Sequence, residues 1–302
     1  MAMDRKCQGV IVPVITPFTE NGKIDSESVC RITDHLIAGG ADGIFALGTT
    51  GEGASIPISE KKKMVQAVVD NAKNRILVYA GISSNCLDES IAIAEHFLDL
   101  GTDVLVAHVP SYFPLQEEEI FSYFVKLADR TAGPLMLYNI PATTRLSLSI
   151  DVTDKLSRHE RIIGLKDSEN TPGRLEAAIE RFSGRSDFSY VVGCASLSAQ
   201  GVALGAAGIV PSCANLYPRL YKALFECAQK GSMPDAEKLQ EQTDHISLLY
   251  QRNRSLGQSI AALKAAMHSL GFCKPVVLPP LETLQKEDIA RMQKQMATMT
   301  FS

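Results

Sequence analysis

Short apolar runs rich in β-branched and aliphatic residues recur along this chain, and longer segments with the 3.6-residue apolar period of amphipathic helices lie between them. The runs predict strands over Val10 to Ile15, Gly43 to Leu47, Ile76 to Ala80, Val104 to Ala107, Leu135 to Asn139, Ile162 to Lys166, Ser189 to Val192 and Gly208 to Val210. The spacing predicts helices over Ser26 to Ala38, Ser59 to Lys73, Leu87 to Leu100, Glu117 to Thr131, Ser149 to Leu156, Gly173 to Phe182, Ser196 to Leu204 and Pro218 to Lys230. Eight strands, each followed by a helix, give the count of a (β/α)8 TIM barrel in the α/β class. An open doubly wound sheet calls instead for a Gly-rich phosphate turn after its first strand. Here the first strand runs into Thr16-Pro17-Phe18, which carries no glycine.

After Gly231 the strands stop. Pro234 to Tyr250, Leu256 to Leu270 and Lys286 to Met299 predict a C-terminal three-helix appendage, interrupted at Arg252-Asn253-Arg254 and by the Pro-rich stretch Lys274 to Pro280. The expected division is a barrel with the active site over residues 1–230 and a helical domain over 231–302. The length of 302 residues fits that plan, since such barrels take about 250 residues.

With 45% hydrophobic and 21% charged residues, the chain reads as a globular protein able to bury a large core. A net charge of -4 offers no broad attraction for nucleic acid or an anionic membrane, which leaves small molecules as the expected partners. Seven cysteines, odd in number and without a CxxC pair, argue for reduced thiols and against a disulfide framework. No apolar run is long enough to span a bilayer and no secretory h-region opens the chain, so the expected location is the cytoplasm. The six histidines show no metal-ligand spacing, with His108 at a strand end the only one near the expected chemistry. No metal and no cofactor are expected.

In a barrel of this kind reactive groups gather at the C-terminal ends of the strands. The sixth strand ends on Gly164-Leu165-Lys166, and period-two alternation puts Ile163 and Leu165 on one face and Ile162, Gly164 and Lys166 on the other. A lysine removed from water is pushed toward the neutral amine, the form that adds to carbonyls and makes Schiff bases. The competing reading is a lysine that snorkels to solvent. The second strand ends in Gly48-Thr49-Thr50-Gly51-Glu52-Gly53, whose backbone amides and hydroxyls can hold an anion. It lacks the GK[ST] ending of a nucleotide loop, which favours a carboxylate; a plain βα turn that needs glycines is the alternative. The fifth strand brings Tyr138 to the same kind of position as Lys166, where a phenol can shuttle protons or simply pack in the core. The loop after the fourth strand presents Tyr112 between prolines, as a site residue, an interface residue or both.

Taken in order, Gly48-Thr49-Thr50-Gly51-Glu52, Tyr138-Asn139-Ile140-Pro141 and Gly164-Leu165-Lys166-Asp167-Ser168 resemble the dihydrodipicolinate synthase / N-acetylneuraminate lyase family. The opening Pro13 to Phe18, Gly193, Ala214-Asn215 and the helical tail are similar to it as well, so the likeness covers nearly the whole chain. The resemblance implies a class I, pyruvate-handling lyase, usually a homotetramer built from tight dimers. By the same resemblance Lys166 is the Schiff-base lysine and Tyr138 the proton shuttle. Thr49 and Tyr112 are its relay partners, Tyr112 being offered across the dimer interface. Thr50 and the amides beside it hold the pyruvate carboxylate, and Gly193 and Val210 put backbone against the keto acid. Members that condense pyruvate with aspartate semialdehyde carry an arginine two residues after the proline. Here that position is Thr143, with the arginine at Arg145.

The reading that follows is reversible aldol cleavage of a 2-keto-3-deoxy sugar acid or 4-hydroxy-2-oxo acid to pyruvate and an aldehyde. The alternatives are dihydrodipicolinate synthesis, dehydration of a keto-deoxy sugar acid, metal-dependent aldol chemistry, and a retired barrel that only binds keto acids.

Overall fold

The computed structural model describes residues 7–297. Its order is β1 (Gly9–Pro13), α1 (Ser26–Ala38), β2 (Gly43–Ala46), α2 (Ile58–Ala72), β3 (Leu77–Gly81), α3 (Leu87–Asp99), β4 (Val104–His108), α4 (Glu117–Arg130) and β5 (Leu135–Asn139). It continues through α5 (Pro141–Thr144), α6 (Ile150–Leu156), β6 (Ile162–Asp167), α7 (Arg174–Phe182), β7 (Ser189–Val192), α8 (Ser198–Leu204), β8 (Gly208–Ile209) and α9 (Pro218–Gln229). The eight strands pair in chain order, all parallel, and β8 returns to β1 through Gly9↔Gly208 and Val10↔Ile209. The sheet is therefore closed: a TIM barrel followed by helices α10 (Met233–Gln251), α11 (Leu256–Ser269) and α12 (Lys286–Ala297).

Alternation along the strands sorts side chains into two apolar layers. Val10, Val12, Ile44, Val78, Leu105, Leu137 and Leu165 join the helix side chains in the outer layer. Ile11, Phe45, Tyr79, Val104, Val106, Met136, Tyr138 and Val191 fill the interior. In α1 the buried residues include Val29, Ile32, Thr33 and Leu36, one stripe at helical spacing, and the Asp25 carboxylate caps the helix by accepting from the Ser28 N–H.

The boundaries depart from the sequence pattern where side chains take over backbone bonds. The first strand stops at Pro13 and not Ile15, because the Ile15 N–H donates to Asn215 Oδ1 at 3.0 Å. Ser196 and Leu197 lie in a 3-10 turn, Ala195–Leu197, before α8 begins at Ser198. The one-turn helix α5 was not signalled by any apolar period. Pro141 starts it, with φ already suited to a helix, and Arg145 at φ 58° closes it by donating its N–H to Pro141 O. The last predicted helix is described as far as Ala297; its expected end at Met299 lies outside the described residues.

Helices α10 to α12 pack as a layer whose apolar side chains, among them Ile246, Tyr250, Leu263 and Met267, run into the same outer cluster as the barrel helices. In α11 every residue from Ser259 to Met267 is buried, as in a helix enclosed on all sides. None of the described helices is long and apolar enough to cross a membrane.

Asn215 fastens the end of the closed sheet. Its side chain accepts from the Ile15 N–H and donates to Pro13 O at 2.9 Å and Ser212 O at 2.8 Å, in full burial. Asn215→Ala strands three backbone groups, two of them buried, and is expected to cost about 2–4 kcal/mol. The urea midpoint measures this, and an unchanged midpoint would contradict the assigned role.

Candidate active site

Lys166 enters the barrel because β6 carries one residue more than its neighbour. Leu135 pairs with Ile162, yet Met136 pairs with Gly164, so Ile163 is left out of the ladder. This corrects the strict alternation expected from sequence. Ile162 lies in the outer layer with Leu165, whereas Ile163 packs against the interior cluster. The bulge resets the phase, after which Tyr138 and Lys166 face each other on adjacent strands. Gly164 makes this possible: a Cβ there would lie 2.6 Å from Ser189 O and 3.2 Å from Met136 Cε.

Lys166 is 5% exposed, so the snorkelling alternative does not describe it. Its Nζ lies 3.9 Å from the centroid of the Tyr138 ring and 5.0 Å from that of Phe45, on a floor of aromatic faces that suits a cation. Tyr138 is itself buried, and its hydroxyl sits 3.3 Å from Thr49 Oγ1. Amine, phenol and threonine thus form one chain of groups, drawn from β6, β5 and the turn after β2.

That turn is tightly wound. Leu47 and Glu52 stand at φ 60° and 55°, and the N–H groups of Gly51 and Gly53 both return to Gly48 O. Thr16 Oγ1 donates to Gly51 O at 2.6 Å. Gly53 can only be glycine, since a Cβ would fall 2.0 Å from Leu47 O. Among the described residues the N–H groups of Thr49 and Thr50 have no protein acceptor, and both residues are half-buried. Two free amides beside two hydroxyls make a seat for an anion.

On the far side of Lys166, Gly193 donates its N–H to Asp167 O at 2.6 Å, and a Cβ there would meet Ser168 Oγ. Val210 closes the interior cluster next to it, with its N–H on Val192 O. Two expected residues stand apart. Tyr112 is 77% exposed, stacked edge-on against Phe113, and makes no contact with Tyr138 or Thr49 within the chain. Thr143 lies on the exposed side of α5, its hydroxyl donating to Ile140 O. Arg145 is exposed, and its guanidinium engages no hydrogen bond or ion pair among the described residues, its N–H alone being held by Pro141 O.

Sequence reasoning missed a polar cluster directly behind the lysine. Asn139 donates to Asp167 Oδ1 at 2.8 Å and Glu169 Oε2 at 2.9 Å, while its own Oδ1 accepts from the Leu148 N–H. Arg174 reaches Asp167 Oδ2 at 2.7 Å and Glu169 Oε2 at 3.4 Å. Burial pushes the Asp167 carboxyl up, with the Arg174 charge opposing it. At Glu169 burial acts in the same sense but is outweighed by Ser147, Asn139 and Arg174, which leaves that carboxyl below its ordinary value. The signal was present as two carboxylates flanking Ser168 with an arginine soon after. Its meaning depended on Asn139 from another strand.

His108 sits at the end of β4 in register with Tyr138, its ring 6.3 Å from the phenol ring and tilted edge-on. Its Nδ1 lies 2.7 Å from Val109 O. A carbonyl only accepts, so Nδ1 carries the proton, and burial holds the imidazole below its ordinary value. Among the described residues no group of three or more His, Cys, Asp or Glu side chains could hold a metal ion.

Fold and site define a barrel enzyme with a buried primary amine at the C-terminal mouth, set against a phenol. The profile of the dihydrodipicolinate synthetase family matches residues 6–299, and the chain belongs to that family. It is accordingly a carbon–carbon lyase. It is 31% identical over 281 residues to a 4-hydroxy-tetrahydrodipicolinate synthase of Bartonella bacilliformis, covering 92% of this chain and 93% of that one. Dihydrodipicolinate synthase of Bacteroides thetaiotaomicron superimposes with a TM-score of 0.92 at 30% identity, covering 97% of this chain and 98% of that one. YagE, an E. coli K12 prophage protein of the same family solved in complex with pyruvate, gives 0.90 at 27% identity, over 96% and 98% of the two chains.

His108 and His35 are both held below their ordinary value, first by burial. Their neutral forms favour the fold, so this stability is complete above about pH 6.5 and is lost as pH falls from there toward the folded values. Asp167, pushed up, works in the opposite sense, so the His108→Gln variant isolates the effect. The urea midpoint should fall less steeply below about pH 6.5 in His108→Gln than in the parent; parallel profiles would contradict it.

Proposed function

We propose that the chain is a Schiff-base aldolase that cleaves a 2-keto-3-deoxy sugar acid or 4-hydroxy-2-oxo acid, reversibly, to pyruvate and an aldehyde. One observation carries this reading: the Lys166 amine 3.9 Å from the Tyr138 ring, with the Tyr138 hydroxyl 3.3 Å from Thr49 in the turn that offers two free amides. The substrate carboxylate sits on the Thr49 and Thr50 amides, and the backbone at Gly193 and Val210 lies along the keto acid. The neutral amine of Lys166 adds to C2, Tyr138 passes the protons of carbinolamine formation and dehydration, and water leaves to give an iminium. Tyr138, having given its proton to the departing water, then takes the C4 hydroxyl proton as the C3–C4 bonding electrons flow into the iminium, and holds it for the return to C3. The aldehyde departs, the enamine is protonated at C3, and water returns pyruvate and the free lysine. No cofactor or metal enters these steps.

The aldehyde class is inferred from Thr143. The arginine that the resemblance places there for a second carboxylate is absent, and Thr143 bonds to Ile140 O instead. A second reading, condensation of pyruvate with aspartate semialdehyde, is favoured by the likeness to the Bartonella synthase. Dehydration of a keto-deoxy acid would pass through the same iminium.

We further propose a cytoplasmic homotetramer of tight dimers, with the barrel through residue 230 as the catalytic unit and the helices from 231 onward as its support. Exposed Tyr112 and Phe113 support a contact in which Tyr112 completes the relay of the neighbouring subunit.

Borohydride reduction in the presence of pyruvate should add one reduced pyruvyl group at Lys166 and none in Lys166→Ala; an unmodified parent chain would refute the mechanism. A panel of keto acids that includes aspartate semialdehyde with pyruvate separates the readings. Pyruvate release marks the aldolase, consumption without pyruvate a dehydratase, and pyruvate uptake with the semialdehyde the synthase. Tyr138→Phe should lower turnover about 100-fold or more while still binding the keto acid. Mixed oligomers of Lys166→Ala and Tyr112→Phe subunits, each inactive alone, should recover activity; mixtures as inactive as their parents would place Tyr112 outside the relay.

A further inference from the structure

Glu52 belongs to the turn that carries Thr49 and Thr50, yet its side chain points away from them into the protein. It is fully buried, and its Oε1 lies 2.5 Å from the Nζ of Lys264, which is fully buried on α11. The other oxygen, Oε2, accepts from the Leu278 N–H at 3.0 Å. Lys264 also donates to Val276 O at 2.6 Å, and its Nζ stands 4.0 Å from the centroid of the Phe18 ring. Both carboxylate oxygens and the ammonium group are thus engaged, and both partners of the Glu52 carboxylate come from α11 or the loop that follows it.

A buried ion pair gives little net stability compared with apolar side chains of similar volume, because both ions lose their water. Its distinctive property is directional: charge-assisted bonds fix where a group sits. Here the group is the end of the Gly48 to Gly53 turn, already held on its other side by the Thr16 bond to Gly51 O. Glu52 at φ 55° stands in a conformation that a residue in this turn keeps only when its surroundings hold it there.

We infer that the Glu52–Lys264 pair is a positioning device through which the C-terminal helices set the Thr49–Thr50 seat for the substrate carboxylate and hold Thr49 against Tyr138. This rests on the reading of Lys166 as the Schiff-base lysine. Neither residue is a catalytic residue, since neither faces the amine. The pair acts through the turn, so its loss weakens keto-acid capture while leaving the amine able to react.

Borohydride trapping of pyruvate, followed by intact mass over a range of pyruvate concentrations, reads this directly. Glu52→Leu/Lys264→Met keeps the volume and removes both charges. It should melt as a folded protein, raise the half-saturating pyruvate by about tenfold or more, and reach the parent's plateau of trapped chain at saturation. Glu52→Gln keeps the shape and one acceptor for Leu278, and should raise half-saturation by a smaller factor, about threefold. A folded double variant with the parent's half-saturation overturns the inference and makes the pair purely structural. If the double variant does not fold, Glu52→Gln decides alone: a shift supports the inference and an unchanged value overturns it. A parent chain that traps no pyruvate overturns the Schiff-base reading itself, and this inference falls with it.

Discussion

The direction of Lys166 depends on Ile163, the one residue of β6 without a partner in β5. Between the pairs Leu135↔Ile162 and Tyr138↔Lys166, β5 advances three residues while β6 advances four. Ile162 faces the outer layer, so uninterrupted alternation would carry Lys166 outward with it, into the apolar space under the helices. An ammonium there would be stranded. The extra residue turns the lysine inward under Tyr138, and the rest of the site is arranged around that amine. Gly164 is the local condition for the bulge, because the carbonyl of Ser189 leaves no room for a side chain.

Around the amine, polar side chains from distant parts of the chain pin the loops at the barrel mouth. Asn215 ties the turn after β8 to the end of β1. Asn139 and Arg174 gather Asp167 and Glu169 behind the lysine. Lys264 reaches the turn after β2 from the C-terminal helices. Each is a buried polar group whose partners are provided, and each would be costly if left half satisfied. The result is a mouth in which Thr49, Tyr138 and Lys166 come from three segments with little freedom to separate. Such rigidity favours a reaction in which an amine must meet one carbonyl carbon while the carboxylate stays fixed.

Much of this plan was legible in the sequence, for a physical reason: barrel strands and their helices differ in period, and both periods are local. The strand over Leu135 to Asn139 and the helix over Ser26 to Ala38 are found where their patterns put them. The meeting of Lys166, Tyr138 and Thr49 at one mouth was also readable, since strand ends and the turns after them converge in this fold. What was not readable required a partner from elsewhere. The bulge at Ile163 is a relation between two strands, and nothing in Arg161 to Lys166 marks it. The Glu52–Lys264 pair joins a turn to a helix far along the chain, and Lys264 by itself looks like an ordinary helical lysine among alanines. The early stop of β1 at Pro13 follows from an asparagine in the turn after β8. Tyr112, correctly placed on a loop, keeps its proposed function outside the single chain.

The family and the barrel narrow the chemistry to carbon–carbon bond making and breaking, and the arrangement of amine, phenol and anion seat favours an imine route. Under the proposed reading the choice of second substrate falls to the side of α5, where Thr143 and Arg145 stand exposed. The imine itself is the central claim. A crystal structure of the protein soaked with pyruvate tests it most directly. Continuous density from Lys166 Nζ to C2 of the keto acid is expected, with the carboxylate on the Thr49 and Thr50 amides and the Tyr138 hydroxyl within hydrogen-bonding distance of the new bond. Pyruvate bound away from Lys166, or lying in the mouth with the amine free and its carboxylate off the turn, would contradict it.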